Sequence, residues 1–206
     1  MSAVAQPNLR AQGRVAGAPY LIVVLSGIFC LAWVPAQLGA GIAGAAAHVG
    51  LFRAGIAAFL LMQIAFLLLP LALYRVLGDV DRSAAILMVV LATVSVPIGL
   101  VAVTHRLEAL SLLQDATGSA TAALDATFSQ CIQRYRTGLR LASLFWGLWL
   151  LPFGWLVLRS ARLPRVLGVL LLLGGVGYVV QVFGSVVPGF AETALFNYVT
   201  VPAALG

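Results

Sequence analysis

The chain has 206 residues, of which 62% are hydrophobic and only 9% charged, with a mean hydropathy of +1.07. Soluble domains average roughly 45–50% apolar and about 25% charged residues, so no water-soluble fold hides this much apolar surface. All 12 basic residues are arginine against 6 acids, a bias that suits the cytoplasmic loops of a membrane protein rather than contact with nucleic acid.

A span needs about 20 apolar residues to cross a hydrocarbon core of roughly 30 Å, which leaves room for at most about seven, and loops and tails lower that ceiling. Residues 1–18 hold Gln6, Pro7, Arg10 and Arg14 and no acid, which reads as a flexible basic cytoplasmic tail. The first span starts at Pro19 and Tyr20 and reaches about Ala40. Pro19 suits a first helical turn, Tyr20 suits a lipid interface, and Pro35 should bend the outer end. The basic leader, apolar run and small residues Gly44 to Ala47 follow the order of a signal peptide. The run is too long for that, since a signal core has roughly 7–15 apolar residues.

The second span runs from about Leu51 to Leu73, with Arg53 at its outer mouth, Gln63 and Pro70 inside it, and Tyr74 and Arg75 at its inner end. A tight polar link from Gly78 to Arg82 leads to a third span, from Ser83 through Pro97 to about Thr104. Residues 105–136 are the long polar stretch, with both signs of charge and a break at Gly118 and Ser119. They read as an extracytoplasmic loop of two short helices. The second of these has no stop between about Thr121 and Arg136 and continues through Gly138 into the fourth span, so that this helix overhangs the bilayer. Arg159, Arg162 and Arg165 surround Pro164 in the next link, and a glycine-rich fifth span ends near Val187. Its glycines allow close approach between helices. Residues 188–206 read as an outer interfacial tail or the start of a sixth span.

The fold class is therefore all-α, a polytopic transmembrane bundle occupying residues 19–187. Arg10, Arg14, Arg75, Arg82, Arg159, Arg162 and Arg165 fall on one side of it, and Arg53, Arg106, Arg134, Arg136 and Arg140 on the other, mostly in the longer loop. Long loops cross largely regardless of charge, so the amino terminus is expected in the cytoplasm.

Two stretches carry a resemblance. Leu51 to Arg82 and Leu144 to Val180, with Phe145-Trp146-Gly147-Leu148-Trp149-Leu150-Leu151-Pro152 and the later Leu163-Pro164-Arg165-Val166-Leu167-Gly168, look like a bacterial family called domain of unknown function 4386. The resemblance covers most of the chain from Tyr20 onward. It implies a six-span protein of a bacterial cytoplasmic (inner) membrane, whose last span would begin after a small apolar stretch similar to the Val-Pro-Ala-Ala-Leu-Gly with which this sequence stops, and it implies no activity.

Ionisable groups at membrane depth cost roughly 2.5–3.5 kcal/mol each on insertion scales, which makes them functional candidates. Arg53, His105, Arg106, Glu108 and Arg140 mark the outer ends of spans two, three and four. Together they suggest a basic pocket for an anionic lipid head group or a carboxylate, which guanidinium groups hold in a forked geometry. The plainer alternative is that they snorkel to the interface and pair with Glu108. Gln63 and Gln181 are the deep amides, with helix glue as one reading and ligand contact as the other. His48 and His105 lack the further ligands of a metal site, and no cofactor is expected. Cys30 and Cys131 read as free thiols. Asp79 and Asp81 read as a solvated turn, and Trp146, Trp149 and Trp155 as packing or interfacial residues.

No catalytic constellation appears. The expectation is a non-enzymatic accessory subunit or lipid-binding scaffold, in contact with membrane lipids and with other membrane subunits or copies of itself. A small carrier with an outer arginine pocket, and a lipid-modifying enzyme using Asp79, Asp81 or Glu108, are the alternatives.

Overall fold

A computed structural model describes residues 9–39, 41–115, 122–160 and 162–186, and among these the chain is helical with no strand. Lipid offers no hydrogen bonds, so each spanning segment must satisfy its own backbone, and a helix does this. Among the described residues, five stretches are long and apolar enough to cross a membrane: Gly17–Gln37, Val49–Leu77, Arg82–Gln114, Ala122–Arg159 and Arg165–Gly184.

The first span is one rod. Helix α1 (Leu9–Gly27) passes into a π-helical turn (Ile28–Trp33) and then α2 (Val34–Gln37). Pro35 has no N–H to return to the Leu31 carbonyl, and its ring crowds that carbonyl. The chain widens just before it, where the Val34 N–H reaches back to the Phe29 carbonyl, so the distortion expected at Pro35 takes the form of a π-bulge. The basic tail differs from its reading as flexible throughout, because α1 already starts at Leu9. Extending an existing helix adds one hydrogen bond per residue and needs no new nucleus.

The short α3 (Gly41–Ala47) precedes α4 (Val49–Leu77), α5 (Arg82–Asp115), α6 (Ala122–Arg159) and α7 (Arg165–Gly184). Packing follows chain order, with α1 on α4, α4 on α5, α5 on α6 and α6 on α7. Here the polar stretch departs from its reading. The third span does not stop at Thr104 but runs unbroken to Asp115, so the first of the two short helices expected there is the top of the third span. The second is as expected, a single helix of 38 residues from Ala122 to Arg159. At about 1.5 Å per residue it is roughly 57 Å long, well beyond a hydrocarbon core. The Gly118 and Ser119 break, the tail at 188–206 and any sixth span lie outside the described residues.

α4 and α6 run parallel and meet through aromatic rings at three levels. Phe52 faces Phe128 with ring centroids 6.1 Å apart, Phe59 faces Tyr135 at 6.1 Å, and Phe66 meets Trp149 edge-on at 5.2 Å. Such pairs add roughly 0.5–1.5 kcal/mol each beyond the area they bury. α6 and α7 instead approach closely. A Cβ on Gly154 would stand 2.8 Å from the Gly168 carbonyl oxygen, and one on Gly147 would stand 2.8 Å from that of Gly175. Only glycine admits this contact.

The end of the bundle that carries the α4–α5 link is closed. Leu69, Leu77, Met88, Leu156 and Val157 are fully buried there. Asp79 and Arg162 clasp the α4–α5 and α6–α7 links in a forked pair, with Nη1 to Oδ1 at 2.8 Å and Nη2 to Oδ2 at 2.5 Å. The guanidinium holds the Asp79 carboxyl below its ordinary range. Asp81 caps α5 by accepting the Ala84 N–H at 3.1 Å.

Candidate functional site

At the opposite end, α5 continues past the depth at which a shorter helix would have ended, and its inward stripe continues with it. Ala102, Val103, Arg106, Ala109 and Leu113 are buried, while Thr104, Leu107, Glu108 and Ser111 are exposed. That spacing of three and four residues is the buried face of a helix. Arg106 falls on it, and only 3% of its surface is exposed.

The guanidinium is surrounded by rings rather than acids. Its central carbon lies 4.7 Å from the Phe52 ring centroid and 5.1 Å from that of Tyr135, and each such contact is worth roughly 0.5–2 kcal/mol. Gly55 supplies the room, since a Cβ there would meet Val34 Cγ1 at 2.9 Å and Arg106 Nη2 at 3.5 Å. Neither Arg106 Nη1 nor the Tyr135 hydroxyl has a hydrogen-bond partner. The ion pairs among the described residues are His105 with Glu108 and Arg162 with Asp79, and neither includes Arg106.

Arg106, Phe52 and Tyr135 border a cavity of about 290 Å3. Leu38, Ala45, Phe128 and Ile132 give it apolar walls, and the exposed Ser129, Gln133 and Arg136 mark its mouth. The α3 segment forms one side through Gly39, Gly41 and Ala45. α3 is held to α6 by Asp125, whose Oδ1 accepts the Ile42 N–H at 2.8 Å. Gly41 is obligatory here. Its φ is +70°, and a Cβ would stand 2.8 Å from the same carboxylate oxygen.

The family described as domain of unknown function 4386 matches residues 15–206. The chain belongs to that family. No curated protein and no solved structure matches the sequence. The matched region of this domain of unknown function 4386 protein contains all five spans and every residue bordering the cavity.

The five-residue basic pocket expected at the outer mouth is not formed. Arg53 and Arg140 are exposed and do not border this cavity. His105 Nδ1 and Glu108 Oε2 pair at 3.0 Å on the outer surface of α5. One residue is a rotation of about 100° around a helix axis, so residues 105 and 108 share a face that 106 leaves. Glu108 thus pairs with histidine, and Arg106 alone turns inward. Gln63 is buried on α4 and donates from Nε2 to the Val96 carbonyl of α5 at 3.1 Å, while its Oε1 has no hydrogen-bond partner. Gln181 is half-buried on α7 and does not border the cavity. His48 is exposed at the start of α4, with Nδ1 3.3 Å from the Gly44 carbonyl.

Phe52, Tyr135, Gly55 and Asp125 escaped the sequence reading. A signal for the first two was present, because Phe52, Phe59 and Phe66 and likewise Phe128 and Tyr135 recur at seven-residue intervals. Gly55 and Asp125 carried no such signal, as their roles depend on neighbours from other helices.

Proposed function

We propose that this protein is a non-enzymatic, multi-pass membrane protein that binds an anionic amphiphile in the Arg106 cavity, as a small carrier or a lipid-binding scaffold. The supporting observation is the buried guanidinium whose Nη1 lacks a partner and which pairs with no carboxylate among the described residues. Burying a charge costs several kcal/mol unless it is paired, and aromatic contacts offset only part of that. An anion entering the cavity supplies the missing charge. The distribution of arginines favours the α3 end lying outside the cytoplasm, so the cavity would open to the outer face of a bacterial cytoplasmic membrane. An enzyme built on Asp79 and Asp81 is less favoured, because these carboxylates already hold Arg162 and the start of α5.

The test is direct. Protein in mild nonionic detergent is titrated with decanoate, alongside Arg106→Met, Arg53→Ala and Arg140→Ala. The reading expects Arg106→Met to lose saturable binding and the two surface variants to keep it. Equal binding by Arg106→Met would falsify it.

A second reading, an accessory subunit of a larger membrane assembly, draws support from α7. That helix packs chiefly against α6 and turns Val166, Leu170, Leu173 and Phe183 outward. Extraction in mild detergent that returned only monomer, free of other proteins, would count against it.

A further inference from the structure

We infer that the ligand is a small monocarboxylate with an apolar body, its two oxygens held by Arg106 Nη1 and the Tyr135 hydroxyl. This rests on the binding reading above and narrows it to one head group.

Charge balance is the first argument. Arg106 is the buried cation bordering the cavity, and Arg136 at the mouth is exposed to solvent. A monoanion neutralises the floor, whereas a phosphate monoester, doubly charged above its second pKa near 6, would leave a negative charge uncompensated in a poorly solvated place. The donors give the second argument. Arg106 and Tyr135 both border the cavity, the guanidinium lying 5.1 Å from the Tyr135 ring, and Arg106 Nη1 and the Tyr135 hydroxyl are buried just beneath its surface without a partner. A small shift of either side chain would bring these donors to a carboxylate in the cavity, the partner that a guanidinium holds best. An amine would meet like charge there.

Size is the third argument. The cavity of about 290 Å3 lies at the small end of the roughly 300–1,000 Å3 typical of ligand sites. A short fatty acid or an aromatic acid fits that space, with its body against Phe128 and Ile132. A two-chain phospholipid does not.

Octanoate, octyl phosphate and octylamine are titrated at about pH 8 into detergent-solubilised protein, with phosphatidylglycerol as competitor. The protein is used unaltered and as Tyr135→Phe and Arg106→Met. Tyr135→Phe keeps the ring against Phe59 and removes only the hydroxyl, and unchanged thermal unfolding confirms its fold. Octanoate should bind saturably, should weaken about tenfold in Tyr135→Phe, the size of a hydrogen bond to a charged group, and should be lost in Arg106→Met. Octyl phosphate should bind at least about tenfold more weakly, and phosphatidylglycerol should not displace octanoate. If octyl phosphate or phosphatidylglycerol binds through Arg106 as well as octanoate or better, the carboxylate assignment fails while anion binding stands. Undiminished octanoate binding in Tyr135→Phe also overturns the assignment. If no anion binds in an Arg106-dependent way, both readings fall together.

Discussion

The two ends of the bundle are built from the same three helices, α4, α5 and α6, yet they are packed on opposite principles. Toward Asp79 the helices close on Leu69, Leu77, Met88, Leu156 and Val157, all fully buried, and the short links are clasped by a forked ion pair. Toward α3 the rings of Phe52 and Tyr135 flank a buried guanidinium beside a cavity. A filled apolar interface lowers the free energy of the fold, and an unpaired buried charge raises it. The comparison teaches that one set of helices can be packed for stability at one end and still hold a buried guanidinium beside a cavity at the other.

The sharpest way to break that contrast is to empty the closed end. Leu156→Ala removes a fully buried side chain and is expected to cost about 2–5 kcal/mol, read as a large drop in thermal unfolding temperature in detergent. It should leave the affinity for an anion in the surviving folded fraction unchanged. An equal loss from Arg106→Met would mean that both ends are structural.

A smaller effect is expected from loosening α3. Asp125→Ala leaves the Ile42 N–H without its acceptor, at a cost of about 1 kcal/mol. Because α3 walls the cavity, ligand should also dissociate a few-fold faster, which stopped-flow displacement would record. Faster unfolding with unaltered dissociation would separate α3 from the site.

The Asp79 clasp should matter less still. Both partners are exposed and screened by solvent, so Asp79→Asn is expected to cost roughly 0.2–1 kcal/mol. The folded carboxyl is held below its ordinary value of 3.8, so its contribution is complete above that value and is lost as pH falls through the lowered one. Stability should therefore differ between wild type and Asp79→Asn by the same amount from about pH 5 to 8, and the gap should close only below about pH 4. A gap that opened near neutral pH would point to another group.

The smallest change in stability is expected from Arg106→Met itself. Replacing an unpaired buried charge by an apolar side chain of similar length is often neutral or stabilising. The unfolding temperature should hold or rise while binding disappears. A marked fall would show that the cation–π contacts outweigh the burial of charge.

Much of this was legible before any tertiary contact was known. The five spans emerged from apolar length, the unbroken start of α6 from the lack of a stop between about Thr121 and Arg136, and the depth of Gln63 from its place in an apolar run. Arg106 was singled out, but in the wrong company. Ending the third span at Thr104 left the direction of residues 105–108 undefined, and only the continuous α5 placed Arg106 on the buried stripe and His105 with Glu108 on the outer one. The polarity of that stretch suggested a loop, whereas its side chains project from a helix that outgrows the apolar core.

What the amino-acid order determined by itself was which of the described stretches are apolar and long enough to cross, because a bilayer tests a chain along one dimension, apolar length against a fixed thickness. The tertiary structure decided which arginine is hidden and what surrounds it. That depends on the angle around each helix axis and on rings and glycines supplied by other helices, where one residue of difference turns a side chain by about 100° from solvent to core.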